Sequence, residues 1–281
     1  MKKLLAMILA LVLALSLVAC GSKPAETPAA PENEKPAEAT TAKLDAIKAS
    51  GKLILGTEAF FGPYEFHTTV DGKDKIVGFD IDIAQAIADE LGVELEIKDM
   101  AFDSLIMELQ AGTVDLVIAG LSPDPERAEA VDFSDIYYQG GQSFVINAKN
   151  VDKYKSYADF DGLSVAAQAG SIQANLLKEN TPNAQEVLLA TNPDIFLELS
   201  TGKVEGAYIE TIILQTWAKN YPELVEMCPV EYDVEGSAVA VGKGNSDLLE
   251  LVNKVIKNLT DSGKIDEFVD AAAKLYDPTA E

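Results

Sequence analysis

Few side chains in this 281-residue chain are suited to chemistry, and their spacing restricts what they could do. His67 is the only histidine, so neither a histidine-based zinc site nor a Ser-His-Asp triad can be built from this chain. Asp80 and Asp82 stand two apart in the run Val77-Gly78-Phe79-Asp80-Ile81-Asp82, which invites a catalytic reading. They fall just before an apolar helix stripe, however, and read better as capping acids at a helix start. Arg127 is of another kind. It follows Ser122-Pro123-Asp124-Pro125-Glu126, the composition of a strand-to-helix turn, where free backbone N–H groups and a guanidinium would together face an anion. Taken by itself, an arginine in such a place is an exposed helix residue.

The elements that must position these groups begin after an unusual amino terminus. Lys2 and Lys3 precede an apolar run, Leu4 to Leu15, that ends in small residues and is short for a membrane span. Residues 1–19 read as a secretion leader of the lipoprotein kind. Leu17-Val18-Ala19-Cys20 resembles the bacterial lipobox, which makes Cys20 the lipidated first residue of the mature chain. Residues 20–43 are rich in Pro, Ala, Glu, Thr and Lys without apolar periodicity, the composition of a disordered tether. With Cys20 lipidated, only Cys228 remains, and an internal disulfide is impossible.

Composition narrows the partners. The net charge is -24, and cleavage of the leader removes two lysines, so 46 acidic side chains would face only 20 basic ones. Nucleic acid is excluded as a natural partner. No residue pattern calls for a metal or a cofactor, and none is expected.

From Leu44 the chain alternates short apolar runs with amphipathic stretches, the pattern of a parallel-sheet α/β protein. Strand Leu53–Gly56, a helix stripe Phe79, Ile83, Ile87 and Leu91 ending at Gly92, strand Val93–Ile97, a second stripe Leu105, Ile106 and Leu109, and strand Leu116–Ala119 make β-α-β-α-β. The alternation restarts with strands at 164–167, 186–189 and 206–209 and helices at 172–177 and 194–200. Two final stripes, through Leu248 to Leu259 and Ile265 to Val269, need a sheet to cover, and we assign them to the first lobe. Extended segments at 142–147 and 236–241 are long enough to cross between lobes and would form a hinge. The domains so read are 44–141 with 238–281 for lobe 1 and 146–235 for lobe 2.

Seven ordered motifs then carry a resemblance: GTEAFFGPYEF (56–66), VGFDIDIAQAIA (77–88), FDSLIMELQAG (102–112), DLVIAGLSPDPER (115–127), VDFSDIYY (131–138), AQAGSIQ (167–173) and VEGAYIE (204–210). Together they resemble the bacterial extracellular solute-binding proteins for polar amino acids, such as those for lysine, arginine and ornithine or for glutamine. The likeness runs from about Leu53 to Tyr276. It implies a two-lobed, type II periplasmic-binding-protein-like α/β fold whose doubly wound domains close on a free amino acid and deliver it to an ABC permease and its ATPase.

What the resemblance implies residue by residue follows from the chemistry of a zwitterion. Arg127 would take the α-carboxylate through two parallel hydrogen bonds. The second-lobe turn Gln168-Ala169-Gly170-Ser171-Ile172 would add the N–H groups of Ser171 and Ile172, with the Ser171 hydroxyl standing in for a threonine common in relatives at the Ile172 position. The Gly120 carbonyl, the Ser122 hydroxyl and Glu210 would hold the ammonium, and Ala119 would also line the ligand site. Phe61 and Phe102 would flank the ligand side chain, and Glu58 would read its far end. Two acids with a single base favour a basic ligand, glutamine next, and disfavour an acidic one. The expected protein is a monomer on the outer face of the cytoplasmic membrane, tethered through Cys20, and not an enzyme. Two rivals share the fold, a cyclohexadienyl or arogenate dehydratase and a sensor for a separate receptor. Mass spectrometry of the membrane-extracted mature chain is expected to find diacylglycerol on Cys20, and an unmodified cysteine there would remove the anchor.

Overall fold

A computed structural model describes residues 42–233 and 236–276. The expected leader, Cys20 and nearly all of the expected tether lie outside the described residues, although Ala42 and Lys43 already belong to a helix. That helix, α1 (Ala42–Ser50), leads into β1 (Lys52–Thr57), then a small antiparallel sheet of β2 (Phe60–Phe61), β3 (Glu65–Val70) and β4 (Lys73–Val77). There follow α2 (Phe79–Leu91), β5 (Glu94–Asp99), α3 (Leu105–Gln110), β6 (Leu116–Val117), α4 (Pro125–Ala130) and β7 (Val131–Tyr138). The second lobe contains β8 (Gln142–Asn147), β9 (Ser164–Gln168), α5 (Ile172–Asn180), β10 (Gln185–Leu189), α6 (Asn192–Thr201), β11 (Gly206–Glu210), α7 (Thr211–Trp217) and β12 (Leu224–Val230). The chain returns through β13 (Ser237–Gly242) and ends in α8 (Ser246–Asp261) and α9 (Lys264–Leu275).

Two five-stranded sheets result, ordered β5-β1-β6-β13-β7 and β10-β9-β11-β8-β12, within one compact unit, Ala39–Glu281. In each, three parallel strands are extended by antiparallel ones: β13 runs against β6 and β7, and β8 against β11 and β12. The chain leaves β1 for β5 on one side and reaches β6 on the other, and it does the same around β9 with β10 and β11. A crevice therefore opens beyond the carboxyl ends of β1 and β6 and of β9 and β11, where α/β sheets hold ligands. Glu58 and Ala119 follow the first pair, and Gln168 and Glu210 end the second.

Local sequence explains the elements. Phe79, Ile83, Ile87 and Leu91 are buried along one stripe of α2, and Gly92 closes the helix in the left-handed conformation with its N–H on the Ala88 and Asp89 carbonyls. Thr191 caps α6 by accepting from the Asp194 N–H, with Pro193 in the first turn. The last two helices cover the first sheet, α8 on β7 and α2 and α9 on α2 and α8.

The expected crossings at 142–147 and 236–241 are instead strands β8 and β13, inside the second and first sheets respectively. Both runs are almost wholly buried, and extended backbone at such depth must find sheet partners. Between β7 and β8 stand the three polar or glycine residues Gln139, Gly140 and Gly141. Strand pairing between β2, β3 and β4, and the strands β7 and β12, were not read from the sequence.

Gly78 shows how tightly the first lobe is drawn together at the start of α2. Its φ is 135°, and a β-carbon there would stand 2.0 Å from the Tyr64 carbonyl oxygen. Gly78→Ala is expected to destabilise the protein by more than about 2 kcal/mol, since strain and a backbone clash combine, as a shifted midpoint in urea unfolding would measure.

Candidate functional site

Arg127, the only arginine of the chain, is delivered to the crevice by α4, whose Asp124 cap accepts from the Arg127 N–H at 2.9 Å. Proline at the first turn fixes the entry of the chain into that helix. The guanidinium is buried and uses three donors: Nη1 to the Ser122 carbonyl at 2.7 Å, Nη2 to the Gly170 carbonyl at 2.9 Å, and Nε against Asp124 Oδ2 at 3.1 Å. It also lies 5.6 Å from the centre of the Phe102 ring. Burial lowers its pKa, which Asp124 and Glu126 oppose, so it stays cationic. Since Gly170 belongs to the second lobe, this one side chain ties both lobes at the crevice.

The structure gathers Phe61, Phe102, Ala119, Gly120, Ser122, Arg127, Gln168, Ser171 and Ile172 around one small cavity, together with Gln173. Gln173 was not read from the sequence; its side-chain amide donates to Gln142 Oε1 at 2.8 Å. Glu58 and Glu210 stand beside this group. Glu58 is buried and accepts from Gln168 Nε2 at 3.3 Å, another contact between lobes. Its loop is pinned by the Ala59 N–H on Asp99 Oδ1 at 3.0 Å and by Thr57 Oγ1 donating to the Ile118 carbonyl at 2.7 Å. Glu210, also buried, accepts a short hydrogen bond from the Tyr64 hydroxyl, which comes from the first lobe.

The turn at Ser171 differs from expectation. Its hydroxyl donates to the Gln168 carbonyl at 2.8 Å and accepts from the Ala174 N–H, and its own N–H points to the Gln168 carbonyl at 3.3 Å. Ser171 is thus the cap of α5, committed to the helix, and the N–H groups of Ile172 and Gln173 in the first turn are the ones left to face an anion. Gly170 meets the first lobe so closely that a β-carbon would come within 2.9 Å of Asp103 Cβ.

Asp80 is not a capping acid. The residue before α2 is Gly78, no side chain caps the helix, and Asp80 Oδ2 accepts instead from the Gly120 N–H and the Tyr137 hydroxyl, each at 2.8 Å. A helix-start position and an inward-facing position coincide at this second residue of α2, and only the packed sheet decides between them. Asp80 thereby fixes the loop after β6 that carries Ala119 and Gly120. Behind it lies Glu65, fully buried on β3. Burial, then the charges of Asp80 and Glu58, push Glu65 well above the ordinary carboxylate range. Burial raises Asp80 to about 6 against the opposing Gly120, Tyr137 and Glu65 hydrogen bonds, and raises Glu210 to about 8 against the Tyr64 bond, with Asp80 adding to the rise. The motif GPYEF with GFDID was visible in the sequence, but nothing in either stretch alone shows that Tyr64, Glu65 and Asp80 meet.

Residues 53–272 match the family model described as bacterial extracellular solute-binding proteins, family 3. The chain is 33% identical over 271 residues to the arginine-binding extracellular protein ArtP of Bacillus subtilis (strain 168), covering 95% of this chain and 96% of that one. It is 31% identical over 275 residues to the glutamine-binding protein GlnH of the same organism, an ABC transporter protein, covering 95% and 96%. Among solved structures, an amino acid ABC transporter substrate-binding protein of Streptococcus pneumoniae bound to L-arginine superposes with a TM-score of 0.79 at 38% identity, covering 84% of this chain and 99% of that one.

The raised carboxyls set a pH dependence of stability. A carboxyl whose pKa is higher folded than unfolded stabilises the fold fully below the unfolded value and loses that contribution as pH rises through the folded one. For Asp80 and Glu210 that window runs from about pH 4 to about 8. Thermal melts of ligand-free protein are therefore expected to fall between pH 5 and 8, and Glu210→Gln should flatten the fall.

Proposed function

The chain belongs to the bacterial extracellular solute-binding proteins, family 3, and from that premise we propose that it captures a free basic L-amino acid, L-arginine first, for an ABC importer. The observation that carries this reading is the polarity of the crevice. Arg127 and the first turn of α5 offer cationic charge and N–H donors, and the buried acids Glu210 and Glu58 stand beside them. A zwitterion with a cationic side chain matches that set of charges: carboxylate on Arg127 and the Ile172 and Gln173 N–H groups, ammonium on Glu210, Ser122 and the Gly120 carbonyl. Phe61 and Phe102 flank the methylene chain, and Glu58 receives the distal cation. The relatives ArtP and the Streptococcus pneumoniae protein, named for or bound to arginine, support the same ligand. A glutamine ligand, as GlnH is named for, would use the same ends and leave Glu58 accepting from an amide.

Capture works by closure. Arg127 belongs to the first lobe and the α5 turn to the second, so only the closed arrangement lets both hold one carboxylate, and ligand shifts the balance toward it. The stretch at 139–141 and the return from β12 to β13 would act as the hinge, with 42–138 and 237–276 moving as lobe 1 and 142–230 as lobe 2. In this reading the protein is a monomeric binding protein without catalytic residues, held by lipid on Cys20 at the outer face of the membrane and serving a permease and its ATPase. Incubation with prephenate or arogenate is expected to yield no aromatic product.

Trp217, the single tryptophan, provides the readout. It is 3% exposed, stacks on Phe196 with ring centres 4.6 Å apart, and lies 6.3 Å from Tyr276 of the first lobe. Titration with the twenty amino acids is expected to give a saturable change in Trp217 emission with L-arginine at the lowest concentration. Arg127→Ala should weaken that binding by about 2 to 5 kcal/mol. Unchanged affinity in the variant would remove the proposed site.

A further inference from the structure

We infer that capture at this crevice is an exchange, in which the ligand's ammonium enters beside Glu210 as a proton leaves that carboxyl for solvent. The inference rests on the amino acid reading of the crevice and concerns how that site is regulated.

Three buried carboxyls carry it: Glu65 on β3 and Asp80 on α2, each 0% exposed, and Glu210 at the end of β11, 4% exposed. None of the three has an ion-pair partner among the described residues. The groups that face them are the Tyr64 hydroxyl on Glu210, the Tyr137 hydroxyl and Gly120 N–H on Asp80, and Tyr138 of β7, which feels Glu210 and Asp266. Glu58, after β1, adds its negative charge to Glu65. Arg127 does not compensate: three of its donors are engaged by Ser122, Gly170 and Asp124, and no hydrogen bond or ion pair among the described residues joins it to Glu65, Asp80 or Glu210.

Water-excluded carboxylates without a counter-cation do not all ionise. The pair Glu65 and Asp80 shows this in its geometry. Neither oxygen of Glu65 nor Oδ1 of Asp80 receives an N–H or O–H from a described residue, and the two carboxyls lie against each other, so a proton between them is what satisfies both. Glu210 is the member contributed by the second lobe and meets Tyr64 of the first, and burial with the nearby Asp80 charge holds its proton to about pH 8. An ammonium delivered there supplies the missing cation and favours the ionised form. The balance is direct: the carboxylic acid becomes a carboxylate, the O–H proton passes to buffer, and the ligand keeps its own.

The sign follows. Above about pH 8 Glu210 is already ionised and binding needs no proton release; below it each ligand must displace a proton, and affinity falls by up to about tenfold per pH unit. Calorimetry of L-arginine binding at pH 7 in two buffers of different ionisation enthalpy is expected to give different heats, equivalent to release of most of one proton, and the dissociation constant should fall from pH 5.5 to 8. Glu210→Gln, which can still accept a hydrogen bond but cannot titrate, should bind with equal heats in both buffers. Should that variant not fold, the wild-type pH series decides. Equal heats and a flat affinity in the wild-type protein would overturn the exchange while leaving amino acid capture standing. Failure of all twenty amino acids to bind at pH 8 would overturn both.

Discussion

A guanidinium that has left water must be surrounded by acceptors, and the way Arg127 meets that requirement holds the crevice together. Its donors reach the Ser122 carbonyl in one lobe and the Gly170 carbonyl in the other, while Asp124 and the Phe102 face cover its remaining sides. Burial makes each of these contacts stronger than it would be in solvent, and it also makes the arginine costly to leave without partners. The same group therefore serves as a bridge between the lobes and, in the proposed function, as the seat of a ligand carboxylate. Because no other arginine exists in the chain, no alternative side chain can take over the bidentate geometry.

In the same crevice region the protein has gathered acids rather than balancing them. Tyrosine hydroxyls and a backbone N–H stand where counter-cations would be expected, so Asp80 and Glu210 are held by hydrogen bonds that are too weak to offset their burial. The folded state is left with an electrostatic deficit of positive charge close to the cavity. In the proposed function a cationic ligand fills that deficit, and the proposal thereby has one physical cause for selectivity, for closure and for coupling to pH.

The fold around the crevice was largely legible. Periodicity located α2, α3, α5, α6, α8 and α9 and the parallel strands, because each buries one face or two and must show it in its residue spacing. The runs at 142–147 and 236–241, expected as crossings, were harder to read for the same reason: an apolar extended stretch such as Phe144 to Ile146 has no polar face to tell a buried strand from a connector. The small sheet β2-β3-β4 was missed because its strands mix polar and apolar residues without a clean alternation, as in His67-Thr68-Thr69.

What the sequence determined by itself was the inventory and its order: one histidine, one arginine, two cysteines, the acidic excess, and seven motifs in a spacing that named a family of amino acid receptors. Those are properties of the chain, fixed by covalent order. Only the tertiary structure decided that Asp80 grips Gly120 instead of capping its helix, that Ser171 is spent on α5, and that Tyr64 of one lobe meets Glu210 of the other across 146 positions. Hydrogen bonds and buried charges depend on distances through space, and separation along the chain carries no record of them.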